Sequence, residues 1–249
     1  MKPLICDLFV RSYWKDLEWL GFCLASITKY CRGFRSVIVV LPRSSEAWLR
    51  RFVLPPGVRV ELCDSYRDDY LGQQVTKLLA DTFTNADYIS HVDSDCVFFR
   101  PTSPEDLIVE GKARVLMRPC DTLGRHRPWQ GPTEKFLGSK VTDDFMQHPP
   151  FTFPRWLYSR LREQTIATHG IDIETYITTQ PPRGFSEYNS LGAFAWRHYR
   201  DRFIWVDTTI SPPSKRHCRW YWSWGGIDAA TQAEIRAILD ADGESDRTA

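Results

Sequence analysis

The first ninety residues alternate short apolar, β-prone runs with segments whose apolar residues recur every three to four positions, and this rhythm leaves few folds open. Leu4 to Val10 reads as a buried strand. Ser36 to Leu41 (SVIVVL), stopped by Pro42, and Val58 to Leu62, entered from the turn Pro55-Pro56-Gly57, read as two more. Between them, Asp16 is placed to cap a helix carrying Leu17, Leu20, Leu24, Ile27 and Cys31 and ending near Gly33, and Ser44-Ser45-Glu46 opens a short helix through Phe52. A second long helix is expected from about Leu71 to Phe83, then a fourth strand from Tyr88 to Val92. Parallel strands need helical crossovers, so the alternation implies an α/β fold with a mixed, mostly parallel, Rossmann-like sheet flanked by helices.

Past Asp95 the pattern loosens. Val97-Phe98-Phe99 is strand-like, a helix is expected from Ser103 or Pro104 to Val109, and Ala113 to Met117 reads as a further strand. Residues 119–153, rich in Pro, Gly and His with no sustained period, read as a long functional loop region, with helices at 154–168 and about 186–200 and a frayed acidic tail from Asp240. No linker interrupts the chain, so residues 1–249 are expected to form a single domain.

The net charge of +1 gives no global reason to bind nucleic acid or a membrane surface, and cations exceed acids only in residues 114–219. Seven scattered cysteines without a Cys-x-x-Cys pair argue against a disulfide or zinc framework and lead to the expectation of a cytoplasmic location. No transmembrane segment is expected, because no run approaches the roughly twenty apolar residues that a spanning helix requires.

The chemistry is concentrated in Tyr88-Ile89-Ser90-His91-Val92-Asp93-Ser94-Asp95-Cys96-Val97-Phe98-Phe99. Side chains two apart on an extended chain share a side, so Asp93 and Asp95 are expected to converge while Ser94 points away. Paired carboxylates at the carboxyl end of a sheet strand suit a hard divalent cation, Mn²⁺ or Mg²⁺. Lys77 shares a helix face with Gln73, and Arg11 and Tyr13 follow the first strand, where a guanidinium can meet phosphate and a ring can stack on a base.

An apolar strand ending in Asp-x-Asp after ninety residues of alternating elements resembles the GT-A glycosyltransferases, and "YISHVDSDCVFFRP" is similar to the form found in many bacterial members. The resemblance implies a metal-dependent enzyme that moves a sugar from a nucleotide-sugar donor to an acceptor hydroxyl. About 1–117 would then be the nucleotide-sugar half and about 118–239 the acceptor half. Asp93 and Asp95 would hold the metal, with the late His217 completing its shell. Arg11, Tyr13, Lys77, Asp93, Lys215, Arg216 and Arg219 would bind the donor. Glu187, in the Ser186-Glu187-Tyr188 segment that resembles an acidic motif of bacterial relatives, joins Asp95 as a catalytic residue and is first choice for a base, with Asp121 and Asp144 in reserve. A saccharide is the first choice of acceptor, and the basic 114–219 segment leaves nucleic acid open. Two rival readings remain, a haloacid-dehalogenase-like phosphatase with Asp93 as nucleophile and a non-catalytic carbohydrate-binding protein.

Overall fold

The structure, a computed structural model, describes residues 4–124, 127–213 and 216–241. It opens with β1 (Cys6–Arg11), α1 (Leu17–Tyr30), β2 (Val37–Pro42), the one-turn α2 (Glu46–Leu49), β3 (Val58–Cys63), α3 (Asp69–Leu78) and β4 (Tyr88–Asp93). The expected alternation is therefore present in order. Asp16 stands at the N-cap position of α1 but makes no side-chain capping bond there, whereas Asp68 caps α3 by accepting from the backbone N–H of Tyr70 and Leu71.

These strands form a five-stranded sheet in the order β3-β2-β1-β4-β9, all parallel except the last, β9 (Phe151–Pro154), which runs antiparallel to β4. Its period of two sorts the core. Leu8, Val10, Val39, Leu41 and Val92 face α1, while Phe9, Ile38, Val40 and Ile89 face the layer containing α3 and the later helices. Asp93 continues the second set, in step with Ile89 and His91, and so its side chain is delivered to the α3 side.

The second half carries more regular structure than its sequence announces. After β5 (Cys96–Phe98) come α4 (Pro104–Leu107), β6 (Ile108–Val109) and β7 (Lys112–Pro119). The span read as a loop region contains α5 (Gln130–Leu137), β8 (Asp143–Asp144) and β9 itself. All four residues of β9, the polar Thr152 included, are buried, and its pairing partner lies some sixty residues upstream. Helices α6 (Trp156–His169), α7 (Ile173–Thr178) and α8 (Glu187–His198) follow, then β10 (Phe203–Asp207), β11 (Cys218–Trp220) and α9 (Ala229–Asp240). Asp240, expected to open a frayed tail, is instead the last residue of α9, and residues 242–249 of the expected tail lie outside the described residues. The strand at Ala113 to Met117 does not join the main sheet; β7 pairs with β10, β6 and β8 in a separate one, whose Ala113, Val115 and Met117 share a core with Phe9 and Ile89. Among the described residues no helix is long and apolar enough to cross a membrane.

Candidate active site

A cleft of about 820 Å³ opens at the carboxyl ends of β1 and β4, which the register Arg11↔Asp93 brings level. This is the position where open α/β sheets leave room for ligands. Its walls come from Arg11, Ser12 and Tyr13 after β1, from α3, from Asp93-Ser94-Asp95, from the start of α8, and from the tryptophans of the C-terminal segment.

Lys77 is the centre of the charge arrangement. It projects from the buried face of α3 with its Nζ 2.6 Å from Asp93 Oδ1 and 2.9 Å from Glu187 Oε1. Tyr188, the residue after Glu187, places its ring 5.0 Å from the same ammonium and donates its hydroxyl to Asp93 Oδ1 at 3.2 Å. Burial alone would lower the Lys77 pKa, but the two carboxylates outweigh it and hold the group above its ordinary value, so the ammonium is charged throughout the physiological range. Glu187 is occupied at its other oxygen as well: the Gln74 amide, in the orientation that satisfies both its ends, donates to Oε2 at 3.2 Å. The expected general base is therefore in the cleft, but as the counter-ion of Lys77. Its place at the first position of α8 also puts it where a helix favours an anion.

Asp95 is different. Residues 94 and 95 form a tight turn between β4 and β5, not a continued strand, so the two aspartates meet in the cleft through a bend in the chain, and Ser94 shares the lining instead of pointing away. The backbone N–H of Ser223 donates to Asp95 Oδ2 at 3.2 Å, and that of Tyr221 donates to the Asp95 carbonyl at 2.9 Å. Asp95 Oδ1 is buried with no hydrogen-bond partner. Burial, and secondly the charge of Asp93, push the Asp95 pKa up to about 8. A polar atom stranded in this way is what a bound cation or proton would satisfy. Asp16, which sequence reading took only for a cap, also lines the cleft; burial first, then Asp69, raises its pKa to about 6.

The remaining expected residues divide. Arg11 lines the cleft, but its fork is closed on Asp69, at 2.9 and 2.5 Å, and on the Ser12 carbonyl at 2.8 Å, so it organises the wall and offers no open fork to phosphate. Tyr13 lines the cleft, half-buried. His217 is not brought to Asp95. The antiparallel register of β11 on β5 sets Trp220 against Cys96 and Cys218 against Phe98, which carries His217 away from the turn and places its Nδ1 3.0 Å from Thr102 Oγ1. Arg219 alternates outward from Cys218 and pairs with Glu234 of α9. Arg216 is exposed and does not reach the lining, and Lys215 lies outside the described residues. Neither reserve acid reaches the cleft. Asp121 is exposed, and Asp144 accepts from the backbone N–H of Met146 and from Gln147 and Asn189. Among the described residues no cluster of three or more His, Cys, Asp or Glu side chains is arranged to hold a metal ion.

Among the cleft residues that the sequence reading did not single out are Asp69, which lies ahead of the helix start expected near Leu71, and Arg183, in a Pro-Pro-Arg-Gly loop. In the fold Arg183 takes a left-handed backbone (φ 61°) and lays its guanidinium 5.2 Å from the Trp224 ring at the cleft mouth. Such strain in a non-glycine residue persists only where its surroundings hold it.

Residues 62–223 match the model of a family of unknown function (DUF6492), a span that includes Lys77, Asp93, Asp95 and Glu187. No curated protein matches the chain.

Proposed function

From the premise that this chain belongs to the DUF6492 family, whose matched span holds the charged centre of the cleft, we propose that it is a metal-dependent glycosyltransferase acting on a nucleotide-sugar donor. The observation that carries the reading is Asp95 Oδ1, buried and unpartnered beside an Asp93 already neutralised by Lys77. The two aspartates therefore have separate tasks: Asp93 fixes the lysine, and Asp95 is left for a divalent ion. With few protein ligands at hand, the remaining positions of such an ion would go to water and to the diphosphate oxygens of the donor, as Mg²⁺ and Mn²⁺ commonly permit. When bound, the ion supplies charge neutralisation for a departing nucleoside diphosphate.

The chain's own groups support the same transfer. Lys77 is a fixed positive charge, oriented by Asp93, Glu187 and Tyr188 before any ligand arrives, which is the kind of preorganisation that favours developing negative charge. Arg183 at the mouth is a second cation with no carboxylate partner among its described contacts, suited to a phosphate. Trp222 and Trp224 line the cleft with indoles that are 68% and 67% exposed, flat apolar surfaces of a size that fits a sugar ring or a base.

The test is calorimetric titration of UDP, GDP and dTDP, each with and without Mn²⁺, followed by hydrolysis assays on the matching nucleotide-sugars. At least one diphosphate should bind more tightly with metal. Equal affinity in both conditions for all three would remove the reading.

A further inference from the structure

The end of the molecule on which the cleft opens also carries a patch that the proposed chemistry does not use. Trp14 follows β1 between two cleft residues, Tyr13 and Lys15, but turns away from the cleft and stacks on Trp48 of α2, with ring centroids 5.1 Å apart and planes inclined by 16°. Both indoles stay substantially exposed, Trp14 at 38% and Trp48 at 48%, although burying either would be favourable. Five residues on, Val53 is 90% exposed in the loop that leads to β3, and its neighbour Phe52 tucks against Gly21 of α1, which anchors that loop to the same face. Isolated exposed apolar residues are ordinary; a stacked pair of exposed indoles with an exposed valine five residues on forms a surface that needs a reason.

The charges around them supply one. Lys15, Arg43, Arg50 and Arg51 are exposed in these two segments, against the exposed acids Glu18 and Glu46. The Lys15 ammonium sits 5.2 Å from the Trp14 ring, and Arg50 approaches Glu46 only at 4.0 Å. Amphipathic indoles, a projecting aliphatic side chain and a local surplus of cations are the combination that seats a protein at the headgroup level of an anionic bilayer. A protein partner for so basic a rim would need a matching acidic patch, and a second copy of this chain would meet it with like charge. We infer that the Trp14–Trp48–Val53 face docks on an anionic membrane surface, with the cleft opening alongside that surface. The inference stands apart from glycosyl transfer, since it rests on none of Lys77, Asp93, Asp95, Glu187 or Arg183.

The experiment is co-sedimentation of the full chain with vesicles of phosphatidylcholine alone and of phosphatidylcholine mixed equally with phosphatidylglycerol, in the absence of nucleotide. Binding should appear with the anionic vesicles and fade as salt is raised. Reversing Arg50→Glu and Arg51→Glu together should reduce partitioning at least about tenfold. Val53→Asp, at a side chain open to solvent, should weaken it without changing the thermal melt. In the native protein, brominated acyl chains should quench tryptophan fluorescence, and Trp14→Phe/Trp48→Phe should lose much of that quenching. No binding to either vesicle, equal binding to both, or concentration-dependent self-association in place of binding would each overturn the inference. Because no donor is present, failure here leaves the catalytic reading untouched, and loss of metal-dependent nucleotide binding leaves this one untouched.

Discussion

Lys77 Nζ lies 2.6 Å from Asp93 Oδ1, and the pair sits at the junction of α3 and the carboxyl end of β4 with the lysine side chain 4% exposed. An ammonium so deeply buried is tolerable only because a second carboxylate, Glu187, and the face of the Tyr188 ring complete its surroundings.

Removing the lysine therefore strands two anions. Lys77→Met should lower stability by about 3–5 kcal/mol, the usual penalty for breaking a buried pair from one side. Urea denaturation of the variant and the wild type measures it. A loss within the scatter of surface substitutions would mean that the pair is solvated in solution.

Asp95 makes stability depend on pH in a definite direction. Its folded pKa, about 8, is above the ordinary value of 3.8, so the native state holds the proton longer than the unfolded chain does. Its contribution is fully present below pH 4 and is lost as pH rises towards 8. Asp95→Asn should flatten that decline, giving a variant more stable than the wild type at pH 8 but not at pH 4, as midpoints of urea denaturation across the range would reveal.

The same carboxylate should link metal to protons. If an ion binds at Asp95, it displaces a proton at neutral pH, and the apparent enthalpy of Mn²⁺ binding will vary with the ionisation enthalpy of the buffer. Asp95→Ala should abolish the metal dependence of nucleotide binding and cut turnover by at least about 100-fold, since a direct ligand should matter no less than the 10–100-fold typical of its supporting groups. Unchanged metal dependence in that variant would sink the proposed site.

Glu187→Gln separates two roles. As the counter-ion of Lys77, Glu187 should cost the protein about 1–3 kcal/mol of stability when neutralised, while the acid limb of the pH–rate profile stays in place. Turnover abolished with stability unchanged would restore the general-base role expected from the sequence.

Gly192, in α8 four residues after Tyr188, is predicted to matter for packing. A methyl group there would run into Cβ and Cγ of Phe145, both deep in the core. Gly192→Ala should destabilise by about 1–3 kcal/mol despite the higher helix propensity of alanine. A thermal melt unshifted from wild type would show that α8 can give way.

The first four parallel strands, the helices between them and the position of Asp93 at the end of β4 were legible from the chain alone; the turn that brings Asp95 beside it was not. Each depends on the pattern within one short segment: SVIVVL, six apolar-rich residues stopped by Pro42, fits a strand buried on both faces, and an aspartate at the close of such a strand emerges at the sheet's carboxyl end. Lys77, Glu187 and Tyr13, singled out in the sequence, all line the cleft. Their roles were not legible. Whether Glu187 is a base or a counter-ion depends on a lysine 110 positions away, and whether Arg11 is open to phosphate depends on Asp69, 58 positions away. The residues after Asp95 show the same boundary. β9 acquires its place only by pairing with β4, and His217 was led from the turn to Thr102 by a register between β11 and β5 that no local pattern encodes. Hydrophobic period is a property of neighbouring residues and survives in the sequence; the partner of a charge is a property of chain crossings, and only the folded packing decides it.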